Sequence, residues 1–339
     1  MKKQSKQMLS LIIAVLFLML SLAFSSFAEE DVSVQDSMLR LAEQSIFVTS
    51  EMVDNSYETT YKGIDCFIEQ MRCAYPDVSD LELAVFILQF THQSVENLPD
   101  KIILRALEAK EIVTQTEYIQ VDSSGGQTIL SLQELQCALT EELYSETITP
   151  QDTWTSSNGY MKIETVCTFT KKVGEKRYYT VSAKADWLKM PICFFEDVLA
   201  IAHTGKFNDE VKEFGYKYQN NICCGTVLKY NDSTNFPHGK LSLDYPSTTG
   251  TALRFKLQKP INCNRSVLAH FKAAQSISAY LTYGIIVEQA GILNVRSAYC
   301  HKEVAVGSIG VSCTSGGISF SLAGLKHDYN ARIITVNVA

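Results

Sequence analysis

The sequence predicts an α+β protein, an N-terminal helical domain followed by an antiparallel β-sandwich or barrel-like domain. Apolar residues recur with a period near 3.6 up to about residue 113, and from residue 160 onward the period becomes 2. Between the two regimes lies Asp122-Ser123-Ser124-Gly125-Gly126, a turn or linker composition. The expected organisation is a signal peptide at 1–28, a helical domain at 29–121, a linker with a short helix at 122–153 and an antiparallel β domain at 154–339.

The first segment sets the compartment. Lys2, Lys3 and Lys6 precede a 16-residue apolar run at 9–24, and Ser26-Phe27-Ala28 forms a small-x-small cleavage site before Glu29. That is the pattern of a secretory leader, and the run is shorter than the roughly 20 residues a spanning helix needs. Any membrane contact is therefore expected only through this leader before cleavage. No Cys ends the leader and no Leu-Pro-x-Thr-Gly motif precedes an apolar tail. Free secretion or loose cell-surface association is the expected localisation.

Within 29–121, Ile64, Phe67, Ile68 and Met71 fall at i, i+3, i+4 and i+7, one face of a helix. Ser79-Asp80-Leu81-Glu82 is a capping-box signature opening a mostly apolar segment at 83–90. Pro99 suits the first turn of another helix, with Ile103, Ala106, Leu107 and Lys110 at helical spacing. In the linker, Ser131 and Glu134 have capping-box spacing ahead of a short helix at 132–143.

In the β domain, Met161, Ile163, Thr165, Cys167 and Phe169 alternate with Lys162, Glu164, Val166, Thr168 and Thr170. Tyr179, Val181, Ala183, Ala185 and Trp187 alternate likewise, and Gly174 lies in the connection, so a long antiparallel hairpin is expected. Further strands are predicted at 226–230, 253–258, 277–287, 292–299, 304–313, 318–322 and 332–338. About nine short strands without long intervening helices indicate a sandwich or barrel.

Composition excludes several function classes. Beyond the leader, 27 basic residues stand against 37 acidic ones, a formal balance of −10, and no basic run follows Lys6. Nucleic acid is not an expected partner, because its binding relies on dense positive charge. All ten cysteines lie after the leader, and an even count in an exported chain favours disulfides; an oxygen-free habitat would leave thiols. Cys66 and Cys73, seven positions apart on one helix, lie about 10.5 Å apart along its axis and cannot bond to each other. They point away from the Ile64 face, which favours contact with a second surface such as the β region. Cys300 and Cys313 form a possible disulfide if a hairpin turns at Val306-Gly307, which would set them directly opposite. The rival turn at Ser315-Gly316-Gly317 has the better turn chemistry.

No catalytic, metal or cofactor site emerges from the motifs. Cys223-Cys224 with His238 or His203 offers zinc-ligand types, but adjacent cysteines on a strand face opposite sides. Cys193 or Cys223 with His203 and Asp197 is the least poor trio for a thiol hydrolase. Glu196-Asp197 is the only acid pair in a strongly apolar setting, as paired-carboxylate hydrolysis would want. Asn231-Asp232-Ser233-Thr234-Asn235 has oxygen ligands without the acidic and Gly positions of a calcium loop, and reads as a turn. Tyr178, Tyr280, Tyr283 and Tyr299, in or beside strands, are either core residues or parts of a binding platform.

Two stretches carry a resemblance. Residues 98–121, with Lys110-Glu111-Ile112-Val113 and Glu117-Tyr118-Ile119, and residues 154–201, with Asn158-Gly159-Tyr160 and Asp186-Trp187-Leu188-Lys189-Met190-Pro191, resemble secreted proteins of Gram-positive gut bacteria. The resemblance spans a quarter to a third of the chain and implies a lineage and no particular activity. The expected function is that of a secreted or envelope-associated non-enzymatic binding protein whose partner is an extracellular glycan or protein. The competing expectation is a secreted hydrolase using paired carboxylates or a Cys-His site. A third is a membrane-acting toxin that inserts the hairpin at 160–189.

Overall fold

The structure is a computed structural model and describes residues 29–53, 56–93, 95, 98–121, 127–146, 159–189, 196–207, 223–230, 235–237, 241–247, 249–256, 274–302, 309–314, 317–321 and 326–338. Residues 1–28, expected to be a leader, together with Cys193, Cys263, His238 and the candidate turn at 306–307, lie outside the described residues. Among the described residues no helix is long and apolar enough to cross a membrane.

The protein is built mostly from antiparallel strands with a few helices. Helix α1 (Glu29–Ser45) leads into the hairpin β1 (Phe47–Val53) and β2 (Ser56–Lys62). Helices α2 (Ile64–Ala74), α3 (Asp80–Phe90) and α4 (Asp100–Ile103) follow, the last running into a 3-10 turn at Leu104–Glu108. The apolar stripe expected on α2 is the buried one: Ile64, Phe67, Ile68 and Met71 all lie in the core. Gly63 opens that helix at φ +87°, and a Cβ there would sit 2.5 Å from the Ser45 carbonyl oxygen, so only glycine fits the tight turn. The capping box on α3 is complete. The Ser79 hydroxyl accepts from the Glu82 amide, and the Ser79 amide donates to the Glu82 carboxylate at 2.9 Å.

Strand β3 (Glu111–Val121) pairs with β2 on one side and with β5 (Gly159–Val173) along its whole length on the other. This corrects the expectation of an N-terminal domain made of helices alone. Three strands from residues 29–121 belong to the same large sheet as the hairpin at 160–189. The physical reason is visible in β3, whose residues 112–115 are buried without alternation because both faces are covered. Short strand β4 (Gln127–Leu130) adds to β3, and α5 (Leu132–Glu146) follows with the Ser131–Glu134 capping contacts in place.

The first sheet runs β1-β2-β3-β5-β6-β13-β9-β10, where β6 is Lys176–Lys189, β9 Cys223–Tyr230, β10 Asn235–Pro237 and β13 Ala274–Val287, while β8 (Lys206–Phe207) pairs with β13. The β5–β6 hairpin turns through Gly174 at φ +60°. It occupies the middle of this sheet, paired to β3 and β13 on its two sides, rather than standing as a projecting arm. The second sheet runs β11-β12-β7-β14-β17, with β18 also on β14. Here β7 is Glu196–His203, β11 Ser242–Ser247, β12 Gly250–Lys256, β14 Gly291–Lys302, β17 Lys326–Asn330 and β18 Ile334–Val338. A separate hairpin joins β15 (Gly310–Thr314) to β16 (Gly317–Ser321).

These parts stack in layers. One core lies between the two sheets, with Ile163, Val181, Ala183, Trp187, Leu281 and Tyr283 of the first facing Leu199, Ile201, Leu253 and Tyr299 of the second. The helices cover the outer face of the first sheet through Tyr61, Ile112 and Val166. The β15–β16 hairpin covers the outer face of the second sheet, where Val198, Ala200, Ala298 and Cys300 meet Ile318 and Phe320. The even and odd residues of β7 therefore enter different cores, and its middle, residues 198–202, is apolar throughout as a consequence.

Candidate functional site

Two groupings of polar side chains bear on the candidate sites: a hydrogen-bonded string between the sheets, and an open cleft between the helices and the first sheet. The string starts at Trp187 on β6, whose indole N–H donates to the Tyr299 hydroxyl at 2.8 Å. Tyr299 in turn donates to Oδ2 of Asp197, and His301 Nδ1 lies 2.8 Å from Oδ1 of the same carboxylate. A carboxylate can only accept, so Nδ1 carries the proton. Register fixes the arrangement, because Asp197 on β7 stands directly opposite His301 on β14. All four side chains are no more than 2% exposed. Burial, helped by the neighbouring Asp197 charge, pushes the Tyr299 phenol well above its ordinary range. This Asp-His pair resembles part of a catalytic dyad in chemistry but is buried in the core. Its role is to satisfy buried polar groups and tie β6 to the second sheet.

The thiol-hydrolase trio does not assemble. Asp197 and His203 are six residues apart on the same strand, about 20 Å at the usual rise, so neither can orient the other. His203 instead packs its ring on Tyr283 at 5.4 Å, and burial pushes its pKa down to about 4. The acid pair also separates: Glu196 forms an ion pair with Arg254 at 3.0 Å, while Asp197 turns into the core. Adjacent strand residues point to opposite faces, so the two carboxylates share no cleft.

The cysteines are distributed rather than clustered. Cys300 on β14 lies opposite Val198 and Asp328, and Cys313 on β15 lies opposite Ile318. Cys300 and Cys313 are therefore not opposite each other in register, since β14 at Cys300 is flanked by β7 and β17. β15 pairs with β16 so that Thr314 stands opposite Gly317, which takes φ +142°. The two residues nevertheless reach the same small core beneath the β15–β16 hairpin. Cys66 and Cys73 are exposed on α2 and do not reach the sheet; Gln70 donates to the Cys66 sulfur at 3.4 Å. Cys224 is buried between the sheets, and among the described residues no cluster of three His, Cys, Asp or Glu could hold a metal ion.

The four tyrosines considered as a platform are all core residues: Tyr178, Tyr280, Tyr283 and Tyr299 are at most 9% exposed. Tyr280 nonetheless forms part of the cleft. Its ring sits under Leu98 and Ile102 of the helical layer and closes one wall. The floor is the outer face of β5, β6 and β13, with Thr168, Thr180, Ser182 and Thr282 presenting a row of hydroxyls. Ser182 and Thr282, opposite one another in register, share a 2.5 Å hydrogen bond. Gln93 and Arg105 line the rim. The cavity is about 80 Å³, room for a few waters or one compact polar group.

At one end of the floor stand four charges in alternation. Lys162 and Glu164 on β5 are 2.6 Å apart, and Lys184 and Asp186 on β6 are 3.3 Å apart. Register sets Lys162 opposite Asp186 and Glu164 opposite Lys184, so every charge has opposite-sign neighbours and the set is neutral. Burial lowers the Lys162 pKa most, but Glu164, Tyr118 and Asp186 together more than offset it and the net direction is upward. His92, at the end of α3, is held below its ordinary range by burial and by Lys162. The sequence signal for this set was Lys-x-Glu on one strand and Lys-x-Asp on the next, legible only once the hairpin register is known.

No family model matches the chain, and no curated protein matches it. Among solved structures it is similar to a chain described as BspA_C_mut, at 8% identity over 85% of this chain and 93% of that one, with a TM-score of 0.26. It is also similar to the C-terminal domain of the Streptococcus pyogenes antigen I/II-family protein AspA, at 10% identity, 75% and 95% coverage and a TM-score of 0.24. A DUF4466 family protein from Parabacteroides merdae ATCC 43184 is 9% identical over 51% of this chain, which spans 44% of that protein's length, with a TM-score of 0.22. Likeness at this level carries no argument about activity or partner.

Proposed function

We propose that the protein is a secreted or envelope-associated, non-enzymatic binding protein of β-sandwich architecture. Its cleft would take a compact, neutral polar group presented by an extracellular partner, most simply a hydroxyl-bearing part of a glycan. One observation carries this reading. The cleft combines a row of hydroxyls from Thr168, Thr180, Ser182 and Thr282 with an apolar wall of Leu98, Ile102 and Tyr280. Hydroxyls that both donate and accept, beside a ring and aliphatic carbons, suit a polyhydroxyl ligand with its own apolar patches. Charge recognition fits less well, because Lys162, Glu164, Lys184 and Asp186 neutralise one another. Export rests on the leader pattern at residues 1–28.

The test is to express the chain with its own leader, fractionate the host, and pass the released protein over cell-wall and glycan matrices while assaying the retained material for turnover. Retention without turnover supports the reading. The double substitution Ser182→Val and Thr282→Val should then weaken retention at least about tenfold, the loss of one or two hydrogen bonds. Turnover of the retained material would replace the reading with a hydrolase, and a chain that stays in the cytosol with residues 1–28 attached would overturn it.

A further inference from the structure

Strand β1 is the terminal strand of the ten-stranded sheet, and among the described residues no strand pairs with its outer edge. Its exposure is unusual. Phe47, Val48 and Met52 are 67%, 44% and 61% exposed, and Thr49, Ser50 and Glu51 are exposed as well, so neither face of the strand is covered there. Edge strands are normally protected by Lys, Pro, a bulge or a covering segment. β1 has neither Lys nor Pro, its one charge is Glu51, and it pairs with β2 in unbroken register over seven positions.

The order of its residues names an occupant. Phe47-Val48-Thr49-Ser50-Glu51-Met52-Val53 reads the same in polarity from either end: two apolar residues, three polar, two apolar. An antiparallel copy centred on Ser50 would set Val48 against Met52 on one face, Phe47 against Val53 and Thr49 against Glu51 on the other, and Ser50 against itself. In a two-fold antiparallel pair residue i meets j and j meets i, so this order matches apolar to apolar and polar to polar along the whole seam. We propose that β1 pairs with β1 of a second copy of this chain, joining the two large sheets edge to edge. A seven-residue edge is a small interface, so the association is reversible and concentration dependent. Glu51 lies opposite Glu58 across the β1–β2 pair, which places acidic residues on both sides of the seam. Salt, by screening them, should tighten the association.

The experiment is sedimentation of the chain purified after expression with its own leader, from dilute solution up to about 1 mM and at low and high salt. A monomer–dimer equilibrium that tightens with salt is expected. Ser50→Lys, which opposes two like charges at the two-fold axis, should weaken it at least about tenfold while leaving the circular dichroism spectrum and melting temperature unchanged, since Ser50 is exposed. A chain that stays monomeric throughout, a dimer indifferent to Ser50→Lys, or one that salt dissociates would each overturn the proposal.

Discussion

Trp187 and Tyr299 meet across the two sheets, the indole N–H donating to the phenol oxygen at 2.8 Å with the rings edge to face. They are 112 positions apart in sequence, and their contact leads directly to the Asp197 carboxylate and His301. A hydrogen-bonded string of this kind has a measurable cost when broken, because each member is sealed from water.

Tyr299→Phe keeps the ring and removes the oxygen that joins Trp187 to Asp197. Both partners then lose a hydrogen bond inside the core, so stability should fall by about 3 kcal/mol, read from urea denaturation. Trp187→Phe, which removes the donor and creates a space, should cost at least as much. A double variant should cost less than the two single changes added, since they break the same link.

His203 supplies a pH dependence with a definite sign. Its folded pKa of about 4 lies below the ordinary value of 6.5, because burial disfavours the charged ring. The unfolded chain therefore takes up a proton first as pH falls. The His203 contribution is constant above about pH 6.5 and is lost between there and pH 4, on the order of 3 kcal/mol in all. Urea midpoints measured at pH 7.5 and pH 4.5 should differ accordingly, and His203→Gln should flatten that part of the profile.

Glu164→Gln removes the negative member from between Lys162 and Lys184 and leaves two buried or half-buried ammonium groups under-compensated. A loss of about 2 kcal/mol is expected in thermal or urea unfolding. Replacing Lys162 and Glu164 together by Met and Leu should recover most of it, which would identify the effect as uncompensated charge rather than lost packing.

Gly250→Ala tests how closely β12 and β7 are packed beneath the β15–β16 hairpin. An added Cβ would press on the Ile201 carbonyl oxygen, approach the Ala202 Cα to 3.0 Å and reach 2.7 Å from the Cys313 Cβ. Two of those neighbours are backbone and cannot swing away. Destabilisation of about 2–3 kcal/mol is expected by differential scanning calorimetry.

Much of the local structure was legible in the sequence because its causes lie within a few residues. The Ile64, Phe67, Ile68 and Met71 stripe fixes the buried face of α2, and the Ser79–Glu82 and Ser131–Glu134 spacings fix two helix starts. Alternation from Met161 to Phe169 and from Tyr179 to Trp187, with Gly174 between, fixes the long hairpin. β1, β3 and β7 were not legible as strands. β1 is exposed and has no alternation for a core to impose, while β3 at 112–115 and β7 at 197–203 are buried without alternation for the opposite reason.

The candidate sites followed the same division. Asp197, Tyr299 and His203 stood out in the sequence as residue types, yet which of them meet depended on strand register between β7 and β14. That register placed His301 rather than His203 beside Asp197, and β7 and β17 on the two sides of β14 kept Cys313 from standing opposite Cys300.

The sequence by itself determined the helix faces, the helix starts and the central hairpin, since periodicity, capping and turn chemistry act over short stretches of chain. Only the tertiary structure decided that the N-terminal strands join the large sheet, that Trp187, Tyr299, Asp197 and His301 form one string, and that four alternating charges flank a hydroxyl-floored cleft. Those features arise from pairing between segments tens to hundreds of residues apart. Such pairing is selected by the burial of whole sheets against one another rather than by any local pattern.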